Sequence, residues 1–368
     1  MAERLFVSTR KGLFSFVRNG SWWDVERVSF LGDAVSLALH DARDGSLYAA
    51  LGLGHFGVKL RRSRDHGATW EELAAPAFPK QPEGLVETLP DGKPWPWRVQ
   101  QVWALEPGGA AGELWCGSIG GGLFRSSDSG ASWQLVRSLW DHPLRKEWFG
   151  GGADLPGIHS VCVHPRDPRV LTLGVSCGGA WRSEDGGETW AVSSKGMFAE
   201  YMPPPRRDDE AIQDPHRIVQ CHANPDRLWT QHHNGVFRSD DGGRTWVTIA
   251  SVRPSVFGFA VAVHPDDGDT AWLVPAVKDE QRVPVDARVV VARTRDAGKT
   301  WDVLTRGLPQ SNAYDIVYRH ALDVDGTGRC LAFGSTTGSL WTTEDGGDSW
   351  TCVSNHLPPI YAVRFAGQ

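Results

Sequence analysis

Histidine binds divalent metals and also moves protons near neutral pH. Five of the 13 histidines, His55, His159, His216, His232 and His233, fall at strand ends where chain reversals can gather them. Imidazoles from separate segments, completed by Asp154, Asp214 or Gln231, make a shell for a divalent metal such as Zn, Mn or Ca. His159, His216, His232 and His233 are the candidate ligands. Such an ion activates water or acidifies a substrate proton. Without it, a histidine can act as base while Tyr314 or Tyr361 donates a proton. The catalytic candidates are therefore His216, His232, Asp214, Asp154 and Tyr314. Arg98, Arg217, His55, Gln101, Trp97 and Asn234 are the candidate substrate contacts, a mixture of cation, amide and aromatic face that suits a sugar.

No His-x-His or His-Glu-x-x-His motif is present, so the fold must assemble these groups. Adjacent His232 and His233 normally point apart, and the plainer alternative has them bonding loop carbonyls, with only one reaching a cavity. An ordinary glycosidase needs two opposed carboxylates, for which Asp154, Asp209, Glu210, Asp214 and Asp315 are available. Cys177, in Ser176-Cys177-Gly178-Gly179, is a reactive thiol or a packed one. Gly120-Gly121-Gly122 and Gly150-Gly151-Gly152 lack the strand-to-helix context of a phosphate loop.

The elements that must position these groups come from a repeat. Six segments follow Ser/Thr-x-Asp-x-Gly-x-Thr/Ser-Trp: 63–70, 126–133, 183–190, 239–246, 294–301 and 343–350. A degenerate copy stands at Asn19-Gly20-Ser21-Trp22, giving units of about fifty residues. Each box sits between apolar runs, as in Gly235-Val236-Phe237-Arg238 before and Trp246-Val247-Thr248-Ile249 after. This reads as a β-hairpin whose turn is the box: Asp and Ser/Thr bond turn amides, Gly takes positive φ, and Trp covers the hairpin. Two further strand-like runs lie upstream of most hairpins, such as 158–163 and 170–175 around a His-Pro turn. Four strands per unit and seven units predict an all-β, seven-bladed β-propeller in one domain, 1–368. Residues 4–28 supply three strands, and the run from Tyr361 to Phe365 is left over to close the first blade.

These boxes resemble those of the Asp-box, or BNR-repeat, propellers, a group that includes sialidases and other glycoside hydrolases, sortilin-like receptors and photosystem assembly factors. The run from Asp214-Pro215-His216 through Gln231-His232-His233-Asn234-Gly235 is similar to that of bacterial proteins labelled sialidase or glycosyl hydrolase. The resemblance implies the architecture; the group hosts enzymes, receptors and scaffolds alike. A true sialidase needs three arginines on the substrate carboxylate, a Tyr/Glu pair and an Asp acid. Its early Arg-Ile-Pro motif is absent, and Arg10, Arg98, Arg217 and Arg282 are the candidate cations, so sialidase activity ranks below a general glycan-active or metal-dependent enzyme.

In a propeller the box turns share the lower face, and the blade-to-blade and second-to-third strand loops share the upper one. The insertions 74–97, 137–157, 194–216 and 278–287 all fall on the upper face, which predicts a walled binding mouth. His164 and His264, in lower-face His-Pro turns, and His66, inside a box, read as structural. The expectation is a hydrolase or lyase acting on a polar, carbohydrate-like substrate. Its alternative is a non-catalytic propeller gripping a peptide or protein.

Composition narrows the partners. With 38 Lys+Arg against 44 Asp+Glu, a net charge of −6 and no basic block, nucleic acid and anionic membranes are not expected partners. The charged start lacks an apolar signal core, and the six cysteines stand singly. Both predict a cytoplasmic protein with reduced thiols.

Overall fold

The computed structural model describes residues 1–151 and 153–367; Gly152, within one of the glycine runs and the 137–157 insertion, lies outside the described residues. The strands form five four-stranded antiparallel sheets and one of eight, among the described residues. The eight-stranded sheet is two four-stranded sets joined at one register pair, Gly157 to Ile119. Each set is an up-and-down meander whose leading strand packs on the leading strands of its neighbours.

This series closes on itself. Ile360–Phe365 pairs antiparallel with Arg4–Thr9, Val363 opposite Val7, and also packs against Val35–Asp41 and Leu322–Val324. The arrangement is a β-propeller. Its middle strands are covered on both faces, which is why Leu171–Ser176 and Ala271–Pro275 are buried throughout and read as unbroken runs of apolar and small residues instead of alternating. Between sheets the tryptophans fill the wedge: Trp115, Trp181, Trp229 and Trp272 are at most 1% exposed. Each removes roughly 200 Å² from water, on the order of 5 kcal/mol before the entropy of ordering is subtracted.

The six turns share one hydrogen-bond pattern. In the first, Ser63 Oγ donates to Asp65 Oδ1 at 2.7 Å and accepts from Gly67 N at 2.7 Å. Asp65 also accepts from Thr69 N at 2.8 Å and Thr69 Oγ1 at 2.7 Å. The last turn repeats this with Thr343, Asp345, Gly347 and Ser349. Gly67 and Gly347 sit at φ 89° and 100°, a region a side chain would strain. The Thr69 hydroxyl and amide hold the Asp65 carboxyl down at about 2. Several turn tryptophans reach beyond their own sheet: Trp70 Nε1 donates to Ser29 Oγ at 3.1 Å, and Trp246 Nε1 to the Ser193 carbonyl at 2.9 Å. His164 and His264 cap their turns by accepting from the amides of Arg166 and Asp266.

Candidate functional site

A cavity of about 610 Å³ opens at one end of the propeller. Part of its wall is set by irregularities at the start of the leading strands. The register slips between Val35 and Leu37, Val102 and Ala104, Pro215 and Arg217, and Gly258 and Val261. The residues left over by those bulges include Ser36, Trp103, His216 and Phe259, and all four line the cavity. A bulge re-aims a side chain that regular alternation would bury or expose.

Asp214 is the hub. Its Oδ1 accepts from Ser176 Oγ and Cys177 N, both at 3.0 Å, in a turn where Cys177 adopts φ 50°. Its Oδ2 lies 3.4 Å from His216 Nε2 and 3.5 Å from His233 Nδ1. His216 Nδ1 is 2.7 Å from the Gly258 carbonyl, to which it donates, and the ring stacks on Phe259 at 4.7 Å. In neutral His216 the lone pair is therefore on Nε2 and faces a carboxylate oxygen. Two acceptors in that position call for a proton or a metal cation between them.

The three groups are displaced in different directions. Burial opposes ionisation of Asp214, but His216, His233 and Arg319 outweigh it and hold the carboxyl well below its ordinary value. Burial pushes His216 down despite Asp214. Burial also works against a charged His233, yet there the carboxylate wins and the imidazole is raised. One ligand atom from each of Asp214, His216 and His233 lies within 4.8 Å of the others. Two ligands about 2.05 Å from a tetrahedral ion are about 3.3 Å apart, close to the two separations of 3.4 and 3.5 Å.

The expected residues divide sharply. Asp214, His216, His233, Gln101, Arg282 and Tyr361 line the cavity. His232 does not: it is fully buried, and its two ring nitrogens face the amides of Asp214 and Asn234, each at 3.0 Å. A charged ring would place donors against donors, and burial holds His232 at about 3, so it can serve neither as ligand nor as acid. His159 is also fully buried and is spent on Ser160 Oγ at 2.9 Å and the Pro215 carbonyl at 2.7 Å. Gln231 donates to the carbonyls of His232, Gly235 and Val256 and is structural.

The remaining candidates lie off the wall. Tyr314 is 60% exposed, and Asp154, His55 and Arg98 are exposed. Trp97 donates to Glu87 at 2.6 Å, and Asn234 accepts from Glu200 N at 2.8 Å. Arg217 lines two smaller cavities distinct from this one and donates to the His159 carbonyl at 3.1 Å. A three-arginine clamp is not assembled among the described wall residues, whose arginines are Arg282 and Arg319.

The insertions 137–157, 194–216 and 278–287 supply Phe149, Tyr201, Asp214 and Asp279 to the wall. The 74–97 insertion supplies none; it stacks Trp95 on Arg145, itself sandwiched by Trp140, and pairs Glu87 with Arg145 at 2.5 Å. Sequence reasoning missed Trp103, Tyr201, Phe259, Tyr318, Arg319 and His320. The bulges and loop folding that expose them leave no local motif. Cys177 does reach the wall, but burial and Asp214 raise its thiol far from a reactive range.

Fold and cavity together define a β-propeller with a carboxylate–histidine centre. No family model matches the chain. It is similar to a xyloglucanase from Paenibacillus sp, 23% identical over 257 residues, which are 67% of this chain and 19% of that protein. The chain thus spans about a fifth of that relative's length. Among solved structures, an ancestral GH74 enzyme superimposes with a TM-score of 0.58 at 16% identity, over 84% of this chain and 36% of that one. YCF48 bound to D1 peptide superimposes with a TM-score of 0.55 at 11% identity, over 91% and 93%. Among the described residues, no helix is long and apolar enough to cross a membrane.

Proposed function

We propose that this chain is a seven-bladed Asp-box propeller and a carbohydrate-active hydrolase, with Asp214, His216 and His233 holding a divalent cation at the floor of the cavity. Dividing the eight-stranded sheet at its single joining pair supports that blade count. The observation that carries the functional reading is the Asp214 carboxylate facing His216 Nε2 across 3.4 Å, with the histidine's other nitrogen committed to a carbonyl. Two imidazoles and one carboxylate favour zinc or manganese over calcium, which prefers oxygen ligands. When bound, such an ion lowers the pKa of water and polarises a substrate oxygen.

The chain's own groups supply the rest. Trp103 and Phe149 offer apolar surface to a sugar, and Gln101, Tyr318 and Tyr361 offer polar groups to its hydroxyls. Ser176 and Cys177 N hold Asp214 in one orientation. If the protein is metal-free, His216 and His233, both facing the Asp214 carboxylate, are the acid–base pair. Six unpaired cysteines support a reducing, cytoplasmic setting.

Metal analysis by plasma mass spectrometry, before and after chelation, tests this centre alongside a glycan hydrolysis panel. One ion per chain in the parent, lost in His216→Ala and Asp214→Asn, is expected; hydrolysis without bound metal would replace the metal by the acid–base pair. The second reading, a peptide-binding propeller, is favoured by the near end-to-end match to a propeller solved with a peptide. Peptide capture with no turnover on any glycan would establish it.

A further inference from the structure

The cavity wall holds a cation with no direct hydrogen-bond or ion-pair partner among the described residues, although the Asp214 carboxylate acts on it from a distance. Arg319 is 9% exposed and makes no hydrogen bond or ion pair among the described residues, its Nε being buried without a partner. Aromatic faces hold it instead: its guanidinium carbon lies 4.8 Å from the Trp103 ring centroid and 5.4 Å from that of Phe259. The other wall arginine differs, since Arg282 is bonded to Asp279, with Nε at 3.0 Å from Oδ1. Asp214 is engaged by Ser176, Cys177, His216 and His233.

A desolvated guanidinium is costly unless paired. Contact with aromatic faces offsets part of that cost but leaves the planar fork of donors unused. That fork matches a carboxylate or phosphate in bidentate geometry.

We infer that Arg319 is an anion subsite and that the substrate presents a carboxylate to it, as a uronic acid residue of a glycan does. The inference rests on the reading of the cavity as a carbohydrate site and narrows it to acidic sugars. Trp103 and Phe259 would then fix the guanidinium plane in the orientation that meets the acid. Of the candidate cations expected from sequence, Arg10, Arg98 and Arg217 are off the wall and Arg282 lines it but is paired with Asp279, so Arg319 is the wall arginine left for an anion.

Titration calorimetry on metal-stripped protein tests this, with D-glucuronate, D-glucose and inorganic phosphate as probes. Stripping removes any contribution of a bound ion to carboxylate affinity. Glucuronate should bind about tenfold tighter than glucose, the scale of one charge-assisted pair. In Arg319→Met the two should become equal; in Arg319→Lys, which keeps the charge but loses the fork, the preference should be partial. Circular dichroism checks that each variant is folded, and Arg319→Lys carries the comparison if the methionine variant is not.

Equal affinities in the parent, no glucuronate binding, or an undiminished preference in a folded Arg319 variant would overturn the subsite. Binding of phosphate alone would overturn the uronate assignment. Failure of the broader reading is distinguishable: a glucuronate preference with no hydrolysis of any glycan sinks the hydrolase and leaves the subsite. Hydrolysis of neutral glycans without preference for acidic ones does the reverse.

Discussion

Nε2 of His216 stands 3.4 Å from Oδ2 of Asp214 while Nδ1 of the same ring donates to the Gly258 carbonyl. The leading strand of one sheet thereby fixes which nitrogen of a histidine on the preceding sheet carries the lone pair. The functional reading depends on this tautomer.

Asp214 should make stability depend on pH at the acid end. Its folded pKa lies well below the ordinary carboxylate value, so its stabilisation is present above the unfolded pKa and is lost as pH falls through the folded one. Urea unfolding of the parent between about pH 2 and 5 should show this loss, and Asp214→Asn should flatten it. The asparagine variant should also be less stable at neutral pH by about 3 kcal/mol, because the half-buried His233 loses the carboxylate that raises it.

His233 should act in the opposite sense. Its folded pKa is raised, so the stabilisation is fully present below the ordinary imidazole value and is lost as pH rises through the raised one. Nuclear magnetic resonance titration of the His233 ring should place its midpoint above that of an exposed histidine. An Asp214→Asn background that leaves this midpoint unchanged would show that the carboxylate is not its cause.

Activity should separate the wall from the periphery. His216→Ala should lower turnover by at least about a hundredfold, the scale of losing a ligand or an acid–base group. His55→Ala and Tyr314→Phe, both off the cavity wall, should stay within about twofold, as exposed substitutions usually do. Steady-state kinetics on the glycan identified by the panel makes the comparison, and comparable losses at Tyr314 would return that residue to the site.

Asp345→Ala should cost about 1–2 kcal/mol by urea unfolding, since it leaves the Ser349 amide and hydroxyl without their acceptor. The loss should appear without change in the metal content, because the turn contributes no residue to the cavity wall.

Removal of residues 359–368 should cost far more than one strand. Ile360–Phe365 pairs with Arg4–Thr9 and packs on Val35–Asp41, so its loss opens the ring at two interfaces. Size-exclusion chromatography and circular dichroism should find an aggregated or expanded chain, whereas a permutant that begins at Ile360 and continues into residue 4 through a short linker should remain compact.

The sequence alone determined the repeating architecture, because a turn that satisfies its own amides within eight residues is a local object. Ser63, Asp65, Gly67 and Thr69 find each other through short loops, so their spacing in the chain suffices to place a hairpin. The leftover run at Tyr361 and the short first unit likewise pointed to the strand pairing seen between Ile360–Phe365 and Arg4–Thr9. Spacing also picked out Asp214, His216 and His233, but grouped them with His159 and His232, which stand equally close to strand ends.

Only the tertiary structure separated them. His159 and His216 are both left over by a bulge in a leading strand, so whether a histidine faces the cavity depends on which neighbouring carbonyl or amide claims its ring. His159 is claimed by Pro215, 56 residues away, and Arg319 meets Trp103 across the ring. Such contacts are made between sheets far apart in the chain, and no spacing within one segment encodes them.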